Sequence, residues 1–428
     1  MKDLSVMIEV GGQDVFVGKI TGENSENASF SYADSYLSDS ESRPISLSMP
    51  LEQKSFDAVR TRNYFEGLLP EGFSRKCVAE WIRADENDYL AILEGLGSEC
   101  LGAIKIIDET AKTGSSLPGY RKLNAVEVLN LAREGATKSA ELVTKAHLSL
   151  AGASGKAGLY YHEKEREWYL PFGTAPSTHI VKQSHVRLKQ IVTNEQLCLL
   201  TARNLGIEIP DSFIINADDR DEESILFATR RYDRKFSEDE KLVDGLPVPR
   251  RLHQEDFAQA MGVAASFKYE RNREHYLRKM FSVLRNYSSD PIEDQLKLWD
   301  ICIFNFLIGN TDNHIKNLSL LYGEDLKTIR LAPVYDIVST MVYENSSENM
   351  SLSIGGVLNI HDVKRDSFKR EARSVDIGEK IAMQRLDKMA DSFEAALYKA
   401  GTILEEQGYP QVNIMAQKIL SAFKQKIA

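Results

Sequence analysis

Five polar residues crowd one window, Leu307–Thr340 (LIGNTDNHIKNLSLLYGEDLKTIRLAPVYDIVST): Asp312, His314, Lys316, Asn317 and Asp336. Phosphoryl transfer to a hydroxyl needs such a set. One carboxylate takes or orients the acceptor's proton, while an Asn and a second Asp hold the metals that bridge the phosphates. A lysine such as Lys316 can neutralise charge growing on the transferred group. The order Asp, Asn, hairpin, Asp is that of a protein-kinase catalytic segment, without the His-Arg-Asp and Asp-Phe-Gly spellings. A polar helix end followed by an ordinary hairpin would use the same residue types, so the ordered set carries the reading.

The flanking elements must bring these groups together. Gln295–Ile308 (QLKLWDICIFNFLI) is apolar on nearly every side and predicts a buried helix. A helix of that kind ends in a run of Asn, Asp, His and Lys most easily where the run faces a cleft. Leu318–Tyr322 and Thr328–Leu331 flank Gly323-Glu324-Asp325, which predicts two strands and a turn. The hairpin returns the chain, so Asp336 is expected near Asn317. Further upstream, Ala151, Gly152, Ala153, Ser154, Gly155 and Lys156 form a small-residue loop with a cation, suited to backbone approach to a phosphate. It is neither a Walker A loop nor GxGxxG. Lys182 ends a strand-like HIVK segment and could reach the same phosphates; Glu195 on the following helix either holds that lysine by an ion pair or is simply solvated.

The length of 428 residues allows two or three domains, and 43% hydrophobic with 27% charged residues is ordinary for a soluble globular protein. Cys77, Cys100, Cys198 and Cys302 form no CxxC pair, which argues against a disulfide scaffold or structural zinc and fits a reducing cytoplasm. The opening MKDLSVMIEVGG lacks a signal-peptide core, and no window approaches about 18 uncharged apolar residues, so no membrane span is expected. A formal charge of −10 gives no global reason for nucleic-acid binding.

Three units are expected: 1–110, 121–240 and 250–428. In the first, Val6–Val10 and Val15–Ile20 make a hairpin around Gly11-Gly12, Ala28–Tyr32 and Pro44–Leu51 read as strands, and Asp57–Gly95 is helical with a break at Asn63–Gly72. In the second, Asn124–Thr144 is helical, followed by strands at His147–Tyr161, Glu167–Leu170 and His179–Lys182. A helix at Gln190–Leu205 leads to strands at Ile207–Ala217 and Ser224–Tyr232. The last strand delivers Arg230, Arg231 and Tyr232 where a connector between lobes would meet a nucleotide base. Phe236–Arg251 reads as a flexible connection. Helices at Gln254–Met261, Glu274–Arg285 and Ser374–Ala428 (broken at Pro410) dominate the third unit, with a polar loop at Tyr343–Gly356 as a candidate rim of the substrate site.

SLAGASGK (Ser149–Lys156), HIVK (His179–Lys182), RYDR (Arg231–Arg234), RLHQED (Arg251–Asp256), GNTDNHIKN (Gly309–Asn317) and PVYDI (Pro333–Ile337) together resemble the HipA-like serine/threonine kinases, toxins of bacterial HipBA toxin–antitoxin modules. Asn63–Gly72 and GSECLGA (Gly97–Ala103) look like that family's N-terminal subdomain. The resemblance implies an α+β, two-lobed, protein-kinase-like fold of the PI3/4-kinase-like HipA type. A small N-terminal α/β subdomain and a mainly helical C-terminal lobe would complete it. It implies Mg2+ and ATP as cofactors, Asp312 as catalytic base with Lys316 and His314 beside it, and Asn317 and Asp336 as metal ligands. ATP would be bound by Ala151–Lys156, Lys182, His314, Asn317, Tyr335 and Asp336, with Arg230–Tyr232 at the adenine. Ser149 is the implied autophosphorylation site, where about −2 of added charge would expel the phosphate loop and switch the enzyme off. Implied partners are a HipB-like antitoxin, operator DNA through that complex, and a protein substrate, an aminoacyl-tRNA synthetase; the location is cytoplasmic. The alternative is a catalytically weak co-repressor that binds the antitoxin. Two departures stand out: Ser154-Gly155 replaces the usual AGAQEK ending, and Arg230 replaces a hinge Glu.

Overall fold

The expected Gly-Gly hairpin forms. β1 (Lys2–Val10) pairs antiparallel with β2 (Gln13–Gly22), and Gly11 and Gly12 take the turn at φ +58° and +82°, which glycine adopts without Cβ penalty. β3 (Ser29–Tyr32), β4 (Ser55–Phe56) and β5 (Ile104–Asp108) complete a five-stranded sheet in the order β4-β3-β2-β1-β5. Helices Ala58–Phe65, Gly72–Ile82 and Tyr89–Leu96 lie between β4 and β5, broken at Glu66–Leu68 and Pro70 as the two glycines and the proline predict. The computed structural model describes residues 2–97, 99–108, 117–133, 155–183, 188–217, 224–237, 241–271 and 274–427. Ser149, Ala151, Gly152, Ala153 and Ser154 lie outside them, as does the expected helix beyond residue 133.

Pro44–Leu51 is not a strand but a series of turns. Ile45 and Met49 are buried and Leu47 and Leu51 half-buried, yet the segment's polar groups bond to the C-terminal half of the chain rather than to a neighbouring strand. Ser46 Oγ donates to Glu255 Oε2 at 2.6 Å, Leu47 N to Glu255 Oε1 at 3.1 Å, and Ser48 Oγ to the Gln259 carbonyl at 2.7 Å.

The second sheet has six antiparallel strands in the order β10-β11-β9-β7-β8-β6. They are β6 (Gly119–Lys122), β7 (Lys156–His162), β8 (Glu167–Phe172), β9 (His179–Gln183), β10 (Ser212–Asn216) and β11 (Ile225–Arg230). The register sets Lys156 opposite Lys182. Helix Ile191–Asn204 packs on β10 and β11, and on the long helix Glu379–Glu406.

The expected flexible connection after Lys235 is instead two short ladders among the described residues, Arg234–Lys235 with Arg250–Arg251 and Lys241–Val243 with Leu246–Val248. Gln254–Met261 is a strand (Gln254–Asp256) and one helical turn (Phe257–Ala260), because Gln254–Asp256 adds to the hairpin Ser319–Tyr322/Ile329–Leu331. Tyr343–Gly356 is mostly a hairpin too, Asn349–Ile354 turning at Gly355-Gly356 into Val357–Asn359. Helices Tyr276–Tyr287, Pro291–Ile308, Arg365–Ser374, Glu379–Glu406 and Val412–Ile427 make up the rest. Among the described residues no helix is long and apolar enough to cross a membrane.

Glu255, 1% exposed, ties the strand Gln254–Asp256 to the Ser46–Leu47 turn. Burial raises its carboxyl to about 7, against the hydrogen bonds from Ser46, Tyr322 and Leu47 that lower it. A folded-state value above the unfolded one means the contribution to stability is full below the ordinary glutamate range and lost as pH rises toward 7. The expected loss is about 3 kcal/mol between pH 4.5 and 7.5. Unfolding midpoints across that range should therefore fall more steeply for wild type than for Glu255→Gln; parallel profiles would refute the assignment.

Candidate active site

Helix Pro291–Ile308 starts on Asp290, whose side chain accepts from Glu293 N, with Pro291 in its first turn, and stops at Gly309 in the left-handed conformation, φ +78°. Eleven of its side chains are buried, among them Leu298, Trp299, Ile303 and Phe304, so its C-terminus emerges from the core and not from the surface. The polar run that follows is held by side chains. Asn310 donates to Asn305 Oδ1 at 2.7 Å and accepts from Asp312 N at 3.0 Å, while Asn317 Nδ2 donates to the Asp312 carbonyl at 3.1 Å. The hairpin then brings Tyr335 back onto this loop, its hydroxyl 3.0 Å from the Lys316 carbonyl. Asp336 follows at φ +57°, a conformation that costs a non-glycine residue energy and clusters at functional sites.

His314, Lys316, Asn317, Tyr335 and Asp336 line one cleft with Lys156, Lys182 and Glu195. The hairpin closure expected from the chain order holds. At its centre Lys182 Nζ lies 2.7 Å from both Glu195 Oε1 and Asp336 Oδ1. Burial works against the Lys182 charge, but the two carboxylates outweigh it and hold the ammonium above its usual range. Asp336 is likewise resisted by burial, then pulled well below the carboxylate range by Lys182 and Lys156. Lys156 has the opposite balance: burial and the Lys182 charge push it down to about 8, with Asp336 opposing. A second anion would restore it.

Asn194 fixes this triad. Its Nδ2 donates to the Ser339 carbonyl at 3.0 Å and its Oδ1 accepts from Ser339 N at 3.0 Å, tying the Glu195 helix to the segment just after Asp336.

Asp312 is exposed and is not among the residues that line the cleft; its Oδ1 accepts from the Tyr269 hydroxyl at 3.0 Å. Loss of hydration, with the Asp336 and Glu71 charges, raises its carboxyl against that hydrogen bond. His314 is 6% exposed, and burial drives its imidazole down to about 3, so it is neutral at ordinary pH. Its Nδ1 is buried without a hydrogen-bond partner, which leaves a polar atom for a ligand to meet. Lys316 is buried and engaged, 2.8 Å from Asp256 Oδ2, 3.1 Å from the Gly67 carbonyl and 3.6 Å from Glu71 Oε1.

The three hinge residues divide. Tyr232 packs its ring 5.9 Å from that of Tyr335, and its hydroxyl donates to Gln254 Oε1. Arg230 ends β11 and pairs with Glu163 at 3.5 Å. Arg231 lines the cleft with Arg230 and Tyr232, but its side chain turns away from it. Its guanidinium is fully buried and spent on Glu99, Asp233, Ser177 and the Cys100 carbonyl. That cluster bolts the hinge to the first unit, because Glu99 also takes Arg234 at 2.5 Å and Asp233 takes Gly102 N at 2.8 Å.

Three site residues lie outside the sequence reading. Glu71 comes from the first unit, lines the cleft, pairs with Lys268 at 2.7 Å and keeps Oε1 buried without a hydrogen bond. Tyr269 sits on Asp312, and Asn194 braces the triad. Only Glu71 left a signal, within Asn63–Gly72.

The residues present fit Mg-ATP. The cleft is lined by apolar Leu101, Ile180, Leu199 and Phe227 together with lysines and acids. Among the described residues no group of three or more His, Cys, Asp or Glu could hold a metal. An Asn–Asp pair suits Mg2+, which keeps waters and phosphate oxygens in its shell.

Comparison with known proteins agrees with this layout. Residues 8–107 match the family model described as HipA N-terminal domain, and residues 148–397 that described as HipA-like C-terminal domain. "Putative kinase Y4mE" of Sinorhizobium fredii is 30% identical over 386 residues, 89% of this chain and 88% of that protein. The "Serine/threonine-protein kinase toxin HipA" of Shewanella oneidensis is 27% identical over 329 residues, 73% of this chain and 70% of that one. A chain of the Shewanella oneidensis HipA, HipB and operator DNA complex superposes with a TM-score of 0.79 at 21% identity, covering 99% of this chain and 97% of that one. That likeness establishes a shared fold.

Proposed function

Because the chain belongs to the HipA family, we propose that it is a Mg-ATP-dependent serine/threonine protein kinase acting as the toxin of a toxin–antitoxin module. The observation that carries this reading is Lys182 shared between Glu195 and Asp336 at 2.7 Å beside Asn317 and the Asp312 loop. A lysine held by a helical Glu is the arrangement by which kinases aim an ammonium at nucleotide phosphates. Lys182 and Lys156 would neutralise those phosphates. Asn317 and Asp336 would hold the metal, which when bound supplies charge neutralisation across the phosphates. Tyr232 and the apolar wall would take the base, and Arg230 would lie at its edge. Asp312 would accept the proton of the attacking serine or threonine hydroxyl, and neutral His314 would meet a phosphate or acceptor oxygen through its free nitrogen. Lys316, already balanced by Asp256 and Glu71, would act mainly by shaping the loop.

The Shewanella oneidensis HipA was solved with HipB and operator DNA, and a HipB-like antitoxin and operator DNA held through it are the proposed partners. The proposed substrate, an aminoacyl-tRNA synthetase, rests on the family resemblance alone. Ser149 is the proposed site of self-inactivating autophosphorylation. Intact mass and peptide mapping after incubation with Mg-ATP test the core of this. Wild type should gain one phosphoryl group on Ser149, and Asp312→Asn should slow the gain about a hundredfold or more. Protein that starts unphosphorylated, binds ATP and gains nothing would move the reading to a co-repressor.

A further inference from the structure

Asp312 already carries a hydroxyl. Tyr269 donates to its Oδ1 at 3.0 Å, within the 2.6–3.2 Å over which a general base meets the proton it will take. The phenol therefore stands, relative to the base, where an acceptor hydroxyl must stand.

The rest of Tyr269 is placed for release. Its side chain is not core: the residue is 38% exposed, touching His314 edge-on at 5.3 Å between ring centroids, with Lys268 Nζ 5.3 Å from its own ring. The backbone on either side is pinned. Lys268 pairs with Glu71 at 2.7 Å, Glu270 N donates to the Ser351 carbonyl at 2.9 Å, and the Glu270 carboxylate accepts from Ser353 N and Oγ at 2.8 Å each. A rotamer change can thus lift the hydroxyl from Asp312 while residues 268–270 stay in place, on the fast timescale of exposed side chains.

We propose that Tyr269 is a stand-in acceptor, filling the acceptor-hydroxyl position on Asp312 Oδ1 and keeping water from that oxygen until a protein serine or threonine displaces it. The proposal rests on the reading of Asp312 as the base. The reaction withheld is hydrolysis. A water oxygen bonds to the γ-phosphorus and yields its proton to Asp312, the γ-phosphorus–oxygen bond breaks, and ADP leaves with the electron pair. Tyr269 makes the site selective for an alcohol that brings binding energy of its own over a water that brings none. Removing only the hydroxyl should release that selectivity, and a positioning role for Tyr269 predicts the opposite sign.

The experiment is ATP hydrolysis by the 428-residue chain with Mg-ATP and no protein acceptor, in wild type, Tyr269→Phe, Asp312→Asn and the double variant. Tyr269→Phe should hydrolyse ATP about tenfold faster than wild type, and Asp312→Asn should erase the gain. A Tyr269→Phe rate at or below that of wild type, with Asp312→Asn still impaired, overturns the stand-in and leaves the kinase reading intact. Hydrolysis or phosphoryl transfer indifferent to Asp312→Asn in both backgrounds sinks the base assignment, and the stand-in with it. A second readout needs no turnover. With 3-fluorotyrosine at position 269, the 19F resonance should shift in Asp312→Ala, and an unmoved resonance overturns the contact itself.

Discussion

Asp336→Asn should lower phosphoryl transfer by about a thousandfold while leaving the fold in place. The substitution is unusually clean here. Asp336 sits at φ +57°, and asparagine is one of the few residues that enters the left-handed region at little cost, so the backbone has no reason to move. What disappears is one negative charge. Lys182 keeps Glu195 but loses the carboxylate that shares it at 2.7 Å, and Lys156 loses the anion that opposes its burial. The proposed metal pair drops from one carboxylate to none, leaving two amides. Transfer from labelled ATP, followed across a magnesium series, checks this. The variant should need far more Mg2+ and stay slow at saturation. A rate within tenfold of wild type at ordinary Mg2+ would remove Asp336 from the metal site.

Much of that centre is legible in the sequence. Gln295–Ile308 is apolar all round, so its polar exit had to face something other than bulk core, and the Gly323 turn dictated that Asp336 come back toward Asn317. Lys182 and Glu195 were readable because strand and helix periodicity place them on consecutive elements. What could not be read were partners far apart in the chain. Nothing around Glu99 announces Arg231, 132 residues away, and an arginine at a hinge reads equally as a ligand contact. Tyr269 belongs to a segment without periodicity. Pro44–Leu51 alternates like a strand, yet its serines bond to Glu255 and Gln259, and no local pattern encodes that. Phe236–Arg251 looked flexible because proline and acidic residues are common in linkers, but its cross-strand pairs are set by neighbours it meets only after folding.

The Glu99 cluster carries the largest expected effect on stability. Glu99, Arg231, Asp233 and Arg234 have side chains no more than 3% exposed, and their formal charges cancel. Burying four charges is expensive, so the cluster is weak evidence of net stabilisation as a whole. Its balance is another matter. Glu99→Ala leaves two guanidinium groups on one carboxylate in a site that water does not reach, with Arg251 adding to the positive field at Glu99. Breaking a buried pair in this way costs about 3–5 kcal/mol. At roughly 1 °C per kcal/mol for a chain of 428 residues, the unfolding midpoint should fall by about 3–5 °C. The loss should be directional as well, because Glu99, the Cys100 carbonyl and Gly102 belong to the first unit while Arg231 and Asp233 belong to the hinge. Limited proteolysis of Glu99→Ala should therefore cut at that seam before the C-terminal helices open. Glu99→Gln, which keeps one acceptor and the shape, should lose less. A Glu99→Ala protein that melts within about 2 °C of wild type would mean the arginines find other partners or water, and the seam would then be held by its apolar contacts alone.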